Sequence, residues 1–228
     1  MRSKTFQTIF LLTVFLLTTT QAHAVILLTE ILADPATDLA GDANADGTTS
    51  FSQDEFVELF NNSNQIVDLA GWSIADAVKT RHIFEADTSL NPFAVVVVFG
   101  GGAPELNDVQ WQTASTGSLG LNNSKDTVSL FNANDMLIDQ LVYGAEAGKN
   151  QSLVRFPEDE IDAIWQQHLL VEDANGQPFS PGQLLSSPEF EVVKQEESPD
   201  AVVQNAVVPE LATILYLGFG LPFMRRKG

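Results

Sequence analysis

The pattern with the clearest chemistry is an octet, Gly41-Asp42-Ala43-Asn44-Ala45-Asp46-Gly47-Thr48, with oxygen-bearing side chains at alternate positions and a glycine just after the third. Hard cations collect oxygen ligands, and alternate residues of a tight loop point inward together while glycine permits the sharp turn. This is the first half of a calcium loop of the EF-hand pattern. Asp42, Asn44 and Asp46 then offer side-chain oxygens and Thr48 a backbone carbonyl. The twelfth position is Gln53 where the pattern wants glutamate, so closure passes to the next carboxylates, Asp54 first and then Glu55. A second reading stays open: Asn, Asp and Gly favour turns by themselves, and a bare turn needs no metal.

The remaining reactive side chains do not assemble into a catalytic pattern. Glu30, Glu58 and Asp68 sit within apolar strand-like text. As an acid/base pair, Glu30 and Glu58 would need environments that split their pKa values; the expectation is instead that all three face solvent or hydrogen-bond a loop backbone. His82 and His168 are far apart, without a second histidine at ligand spacing, and are expected on the surface. The chain has no cysteine, which excludes thiol nucleophiles, thiolate metal sites and disulfides. Gly100-Gly101-Gly102 lacks the lysine and hydroxyl residue of a phosphate loop. An enzyme is not expected.

Short strands separated by turns must position the octet. Candidate strands are residues 25–32, 56–60, 66–69, 72–74, 82–84, 93–99, 127–131, 136–143 and 153–156, with Gly and Asn between them and little helical periodicity. The Val-rich run 93–99 predicts burial on both faces, and Trp72 and Trp111 are expected as core or strand-packing residues rather than ligand platforms. The spacing predicts an all-β fold, an immunoglobulin-like antiparallel β-sandwich.

The net charge is −19, and five of the eleven Lys and Arg lie in the terminal segments (Arg2, Lys4, Arg225, Arg226, Lys227), so the middle is more acidic still. Such a surface repels nucleic-acid phosphates and anionic membranes and attracts cations. Four segments are expected: a signal peptide at 1–24, a sandwich domain at 25–183, a flexible acidic linker at 184–207 and a terminal segment at 208–228. The signal rests on Arg2 and Lys4, an apolar run at 9–17, and Ala22-His23-Ala24 as cleavage site. The terminal segment, Val208-Pro209-Glu210-Leu211-Ala212-Thr213, an apolar stretch and Arg225-Arg226-Lys227, resembles a PEP-CTERM sorting signal. That resemblance implies a Gram-negative envelope, processing by an exosortase-type machinery and membrane contact through this segment only. Its third motif residue is Leu211 rather than proline.

Residues 28–35, the glycine-flanked loop 41–47, Asp54-Glu55-Phe56-Val57-Glu58-Leu59 and Val67-Asp68-Leu69-Ala70-Gly71-Trp72 together resemble the lamin-tail domain, with residues 93–102 as its central strand and glycine turn. Gln151-Ser152-Leu153-Val154-Arg155 and Pro178-Phe179-Ser180-Pro181-Gly182 resemble late segments of such proteins. The resemblance implies an immunoglobulin-like sandwich used for binding or attachment. The expected function is a non-catalytic module at the cell surface or in the extracellular matrix, contacting a surface protein or polysaccharide, with calcium stiffening the octet. The alternative is a secreted metal-dependent hydrolase using the acids from Asp42 to Glu55. Nucleic acid is not an expected partner.

Overall fold

The computed structural model describes residues 26–185. The chain divides into two units, Met1–Glu189 and Phe190–Gly228, and the described residues all lie in the first. The expected signal peptide, the terminal segment and all but the start of the expected linker lie outside the described residues.

In chain order the strands are β1 Ile26–Leu32, β2 Phe56–Asn61, β3 Val67–Asp68, β4 Ser73–Ala75, β5 Thr80–Ile83, β6 Ser89–Leu90, β7 Val95–Phe99, β8 Gln110–Thr113, β9 Asp126–Phe131, β10 Leu137–Tyr143, β11 Leu153–Phe156 and β12 Ile164–Gln167. Helix within the described residues is limited to four single-turn 3-10 segments. A six-stranded sheet runs β12-β11-β1-β2-β7-β8, a four-stranded sheet β10-β9-β4-β5, and β3 pairs with β6. This is the expected immunoglobulin-like sandwich. One pairing departs from the antiparallel expectation: β8 lies parallel to β7, with Val97 opposite Trp111.

The main core lies between the sheets. Ile26, Leu28, Ile31, Val57, Leu59, Val96 and Val98 of the larger sheet meet Ile74, Val128, Leu130 and Leu141 of the smaller. The opposite face of the larger sheet is covered as well. Leu32, Phe56, Val97 and Phe99 pack there with Leu106, Val109 and Phe179, while Val154 packs with Val171 and Ala174. Double coverage explains why β7 reads as an unbroken Val run rather than an alternating one. Phe93, expected in that strand, instead lies before it with φ 57°.

The two tryptophans divide, and the expectation for the histidines is corrected. Trp72 packs against the core, but Trp111 on the edge strand β8 is 38% exposed. The histidines are interior rather than surface residues, His82 being 2% and His168 0% exposed. His82 lies within β5 and His168 opens the 3-10 turn after β12, and burial depresses the pKa of both, that of His82 to about 4.

A β-bulge in β1 sets the chemistry of the outer face. Leu28 pairs with Leu59 and Glu30 with Glu58, so Thr29 is the extra residue. In a regular strand Leu28 and Glu30 would share a face; the bulge keeps Leu28 in the core and turns Glu30 outward beside Glu58.

Candidate functional site

Two polar constellations stand out, the octet and the carboxylates that the bulge brings together. The octet connects β1 to β2, and its side chains fold onto their own backbone. Asp42 Oδ2 accepts the N–H of Gly47 at 2.9 Å, Asn44 Oδ1 that of Asp46 at 3.0 Å, and Asp46 Oδ1 that of Thr48 at 2.9 Å. Ala45 and Gly47 adopt positive φ (59° and 81°), the reversals that let alternate side chains converge.

The glycine run after β7 is the octet's docking surface. Asn44 Nδ2 donates to the Gly101 carbonyl at 3.4 Å, and Asp46 Oδ2 accepts from Ala103 N–H at 3.1 Å. Glu105 N–H reaches the Asn44 carbonyl at 2.9 Å. Gly102 has φ 80°, and a Cβ there would lie 2.4 Å from Asn44 Nδ2 and 2.6 Å from Asp46 Oδ2. The glycines there admit the loop.

Asp54 anchors the loop from below. It is fully buried, with Oδ1 accepting from Asn44 N–H at 3.2 Å and Oδ2 from Ser50 N–H at 2.7 Å. Burial raises its pKa, and the neighbouring Asp42 charge adds to the rise. Asp54→Ala leaves the buried Asn44 amide and the partly buried Ser50 amide without acceptors and should cost about 2–4 kcal/mol, at roughly 1–3 kcal/mol for a buried unpaired group and less for a partly exposed one; Asp54→Asn, keeping one acceptor, should cost less. Equal urea midpoints for wild type and Asp54→Ala would refute the anchoring role.

The octet thus brings Asp42, Asn44, Asp46 and Asp54 together, while Thr48 lies exposed at its rim. Asp42 Oδ1 is buried and has no hydrogen-bond partner. No group of three or more His, Cys, Asp or Glu among the described residues is placed to hold a metal ion. A cation here would rest on the Asp42 and Asp46 carboxylates and the Asn44 amide oxygen, donors suited to calcium rather than to zinc.

The second constellation joins the two late segments, 151–155 and 178–182, on the outer face. Glu30 Oε1 accepts from Ser152 Oγ at 2.5 Å and Ser180 N–H at 3.0 Å. Glu30 Oε2 lies 2.9 Å from Ser180 Oγ, which is 3.0 Å from His168 Nε2. Glu58 accepts from Thr29 Oγ1 at 2.8 Å and Gly182 N–H at 2.6 Å. Glu30 and Glu58 therefore bond a loop backbone as expected but are fully buried; Asp68, exposed, caps Ala70 N–H at 2.9 Å.

Burial raises Glu30 to about 7, against the pull of its serine donors. Hydrogen counting agrees. His168 Nδ1 lies 2.8 Å from the Gln177 carbonyl and so must be the protonated nitrogen, leaving Nε2 an acceptor. The one Ser180 hydroxyl hydrogen then faces two acceptors, and a proton on Glu30 resolves this: Glu30 donates to Ser180, and Ser180 to His168.

A serine hydroxyl against a histidine nitrogen has the form of an activated nucleophile. Acyl transfer also needs free N–H donors for the oxyanion, and here the amides of Ser180 and Gly182 are bound to Glu30 and Glu58. What the arrangement does is fasten the strap 177–182 across the sheet. Sequence reading missed this latch; its signal was Thr29-Glu30 inside an apolar strand, out of phase with the residues on either side.

A family model described as Lamin Tail Domain matches residues 19–145 of the chain. No curated protein matches it.

Proposed function

This chain belongs to the lamin tail domain family, and from that premise we propose that it is a non-catalytic binding or attachment module of an exported protein, held at the cell surface or in the matrix and stiffened by calcium at the octet. The observation that carries the calcium reading is Asp42 Oδ1, a buried carboxylate oxygen with no donor, beside the buried Asp54 carboxyl. A buried anionic oxygen without a partner is costly, and a cation among Asp42, Asn44 and Asp46 removes the cost. The acid excess of the chain favours cation entry. Absence of catalysis is supported by the use already made of the buried carboxylates and strap amides, each of which holds a loop. A sandwich with both faces of one sheet covered provides rigid loops and edges on which contacts to a surface protein or polysaccharide can be built.

Export and surface placement are supported by sequence: the signal pattern at 1–24 and the PEP-CTERM-like segment at 208–228, with processing by an exosortase-type machinery.

Titration calorimetry with calcium, beside thermal unfolding with and without chelator, tests the reading. With so few carboxylates, affinity is expected at about 10⁻⁴–10⁻³ M, the range of extracellular modules. Calcium at a hundredfold excess over its Kd should add about 3 kcal/mol, and Asp42→Ala should abolish the gain. No heat and no shift in melting temperature would leave the octet a plain turn.

A further inference from the structure

We propose that the cavity at the β8 edge of the sandwich binds a neutral polysaccharide; this deepens the binding-module reading above and rests on it. The cavity measures about 510 Å³ and is lined by His82, Glu85, Trp111, Gln112, Thr113 and Ser115 among others, within the roughly 300–1,000 Å³ of small-ligand sites.

Its walls are fixed before any ligand arrives. Ser115 Oγ accepts from Ile83 N–H at 2.9 Å, contacts the Ile83 carbonyl at 3.2 Å and lies 3.2 Å from His82 Nδ1. The His82 ring stands edge-on to Phe84, with centroids 4.6 Å apart. Its Nε2 is buried, and the Gln112 side chain and the Thr113 backbone are the polar groups that face the ring. Gln112 Nε2 donates to Thr88 Oγ1 at 3.0 Å. On this base Glu85, Trp111 and Ser115 remain exposed.

Sugar rings offer an apolar C–H face and a rim of hydroxyls that both donate and accept. An exposed indole beside a carboxylate, a carboxamide and hydroxyls answers both needs. The sheet edge adds backbone groups. Ala114 N–H bonds the Phe99 carbonyl at 2.8 Å, so by the two-residue period the N–H and C=O of Trp111 and Thr113 turn away from β7, those of Thr113 toward His82 and those of Trp111 toward the cavity edge.

Two observations choose the ligand class. The cavity lining includes Glu85 but no lysine or arginine, and the chain carries −19 charges, so acidic polymers are repelled. An added peptide strand needs a run of free edge groups, whereas here the Thr113 backbone meets His82 and the chain after it crosses to the other sheet, Thr116 N–H reaching the Arg81 carbonyl at 3.2 Å, so only Trp111 keeps its edge groups.

The test is affinity electrophoresis of the full chain in native gels containing dextran, laminarin or hydroxyethylcellulose, with alginate as the acidic comparison. Retardation by at least one neutral polymer and none by alginate is expected. Trp111→Ala should bind at least about tenfold more weakly, a change of about 1.4 kcal/mol, and the surface variant Glu85→Gln severalfold more weakly. The proposal is overturned by no retardation in all three neutral gels, by retardation in alginate, or by unchanged retardation of both variants. It is equally overturned, in favour of strand addition, if a lysine-rich extended peptide quenches tryptophan fluorescence while no sugar does. The calcium response of the same sample separates the two readings: sugar binding lost with the calcium shift intact removes only this site, and the converse removes only the calcium loop.

Discussion

Arg155→Met is expected to lower the unfolding free energy by about 3–5 kcal/mol, the usual cost of removing one partner of a buried ion pair. Arg155 and Asp139 are 4% and 12% exposed and meet at 2.5 Å. Their pairing also serves the bulge in β1: Arg155 Nε donates to the Leu28 carbonyl at 2.8 Å, and Asp139 Oδ2 accepts from Leu28 N–H at 2.8 Å. The third guanidinium nitrogen bonds the Ile161 carbonyl, and the group stacks on Trp165 with 5.2 Å to the ring centroid. One residue thus joins β11, β1, β10 and the turn before β12. In a domain of this size the melting temperature should fall by about 10 °C, at roughly 2–4 °C per kcal/mol. Pairing Arg155→Met with Asp139→Leu should restore part of the loss, because no charge is then stranded. A drop below about 1 kcal/mol for the single variant, measured by urea unfolding, would mean that the bulge supports itself.

Raising the pH from 6.5 to 8 should weaken the fold, and Glu30→Gln should remove part of that weakening, the rest belonging to Glu55 and Glu58. Burial pushes Glu30 and Glu55 up to about 7, and burial followed by the charge of Glu30 pushes Glu58 well up. A carboxyl with a raised folded pKa keeps a proton that the unfolded chain has released. Its contribution is complete below about 4.5 and lost as pH rises through 7. The two buried histidines act in the opposite sense. They are neutral in the fold and charged in the unfolded chain below about 6.5, so their contribution is lost as pH falls. Between about 4.5 and 6.5 the trends oppose; above 6.5 the carboxyls alone set the slope. The shift of Glu30 is worth about 3 kcal/mol across its whole range. Glutamine reproduces the protonated form, donating to Ser180 and accepting from Ser152, so at pH 8 the variant should be more stable than wild type by about 2–3 kcal/mol. An unchanged slope in Glu30→Gln would place the titration elsewhere.

Most strands were legible because each carries Val, Ile, Leu or Phe at strand density between Gly and Asn turns, as in β2 and β7. The three that were missed show what such reading depends on. β6 and β8 have little apolar content, Ser89–Leu90 and Gln110–Thr113, and β12 faces outward at Ile164. Edge and two-residue strands are held by their neighbours' hydrogen bonds rather than by a buried face of their own. The histidines were misplaced, and the exposure of Trp111 was not foreseen, for a related reason. Residue type gives an average burial, while the path of the chain over a sheet edge or under the strap decides the actual one.

The sequence by itself determined the acidic surface, the absence of thiol chemistry, the all-β class and the octet with its alternating oxygens, since each is a matter of composition or of spacing within a few residues. Tertiary structure alone decided that the glycines after β7 seat the octet, that a bulge turns Glu30 beside Glu58, and that Ser152, His168 and Ser180 meet them there. Those residues come from five separate stretches of chain. Their meeting depends on strand register, and a one-residue slip at Thr29 reverses which face a side chain occupies.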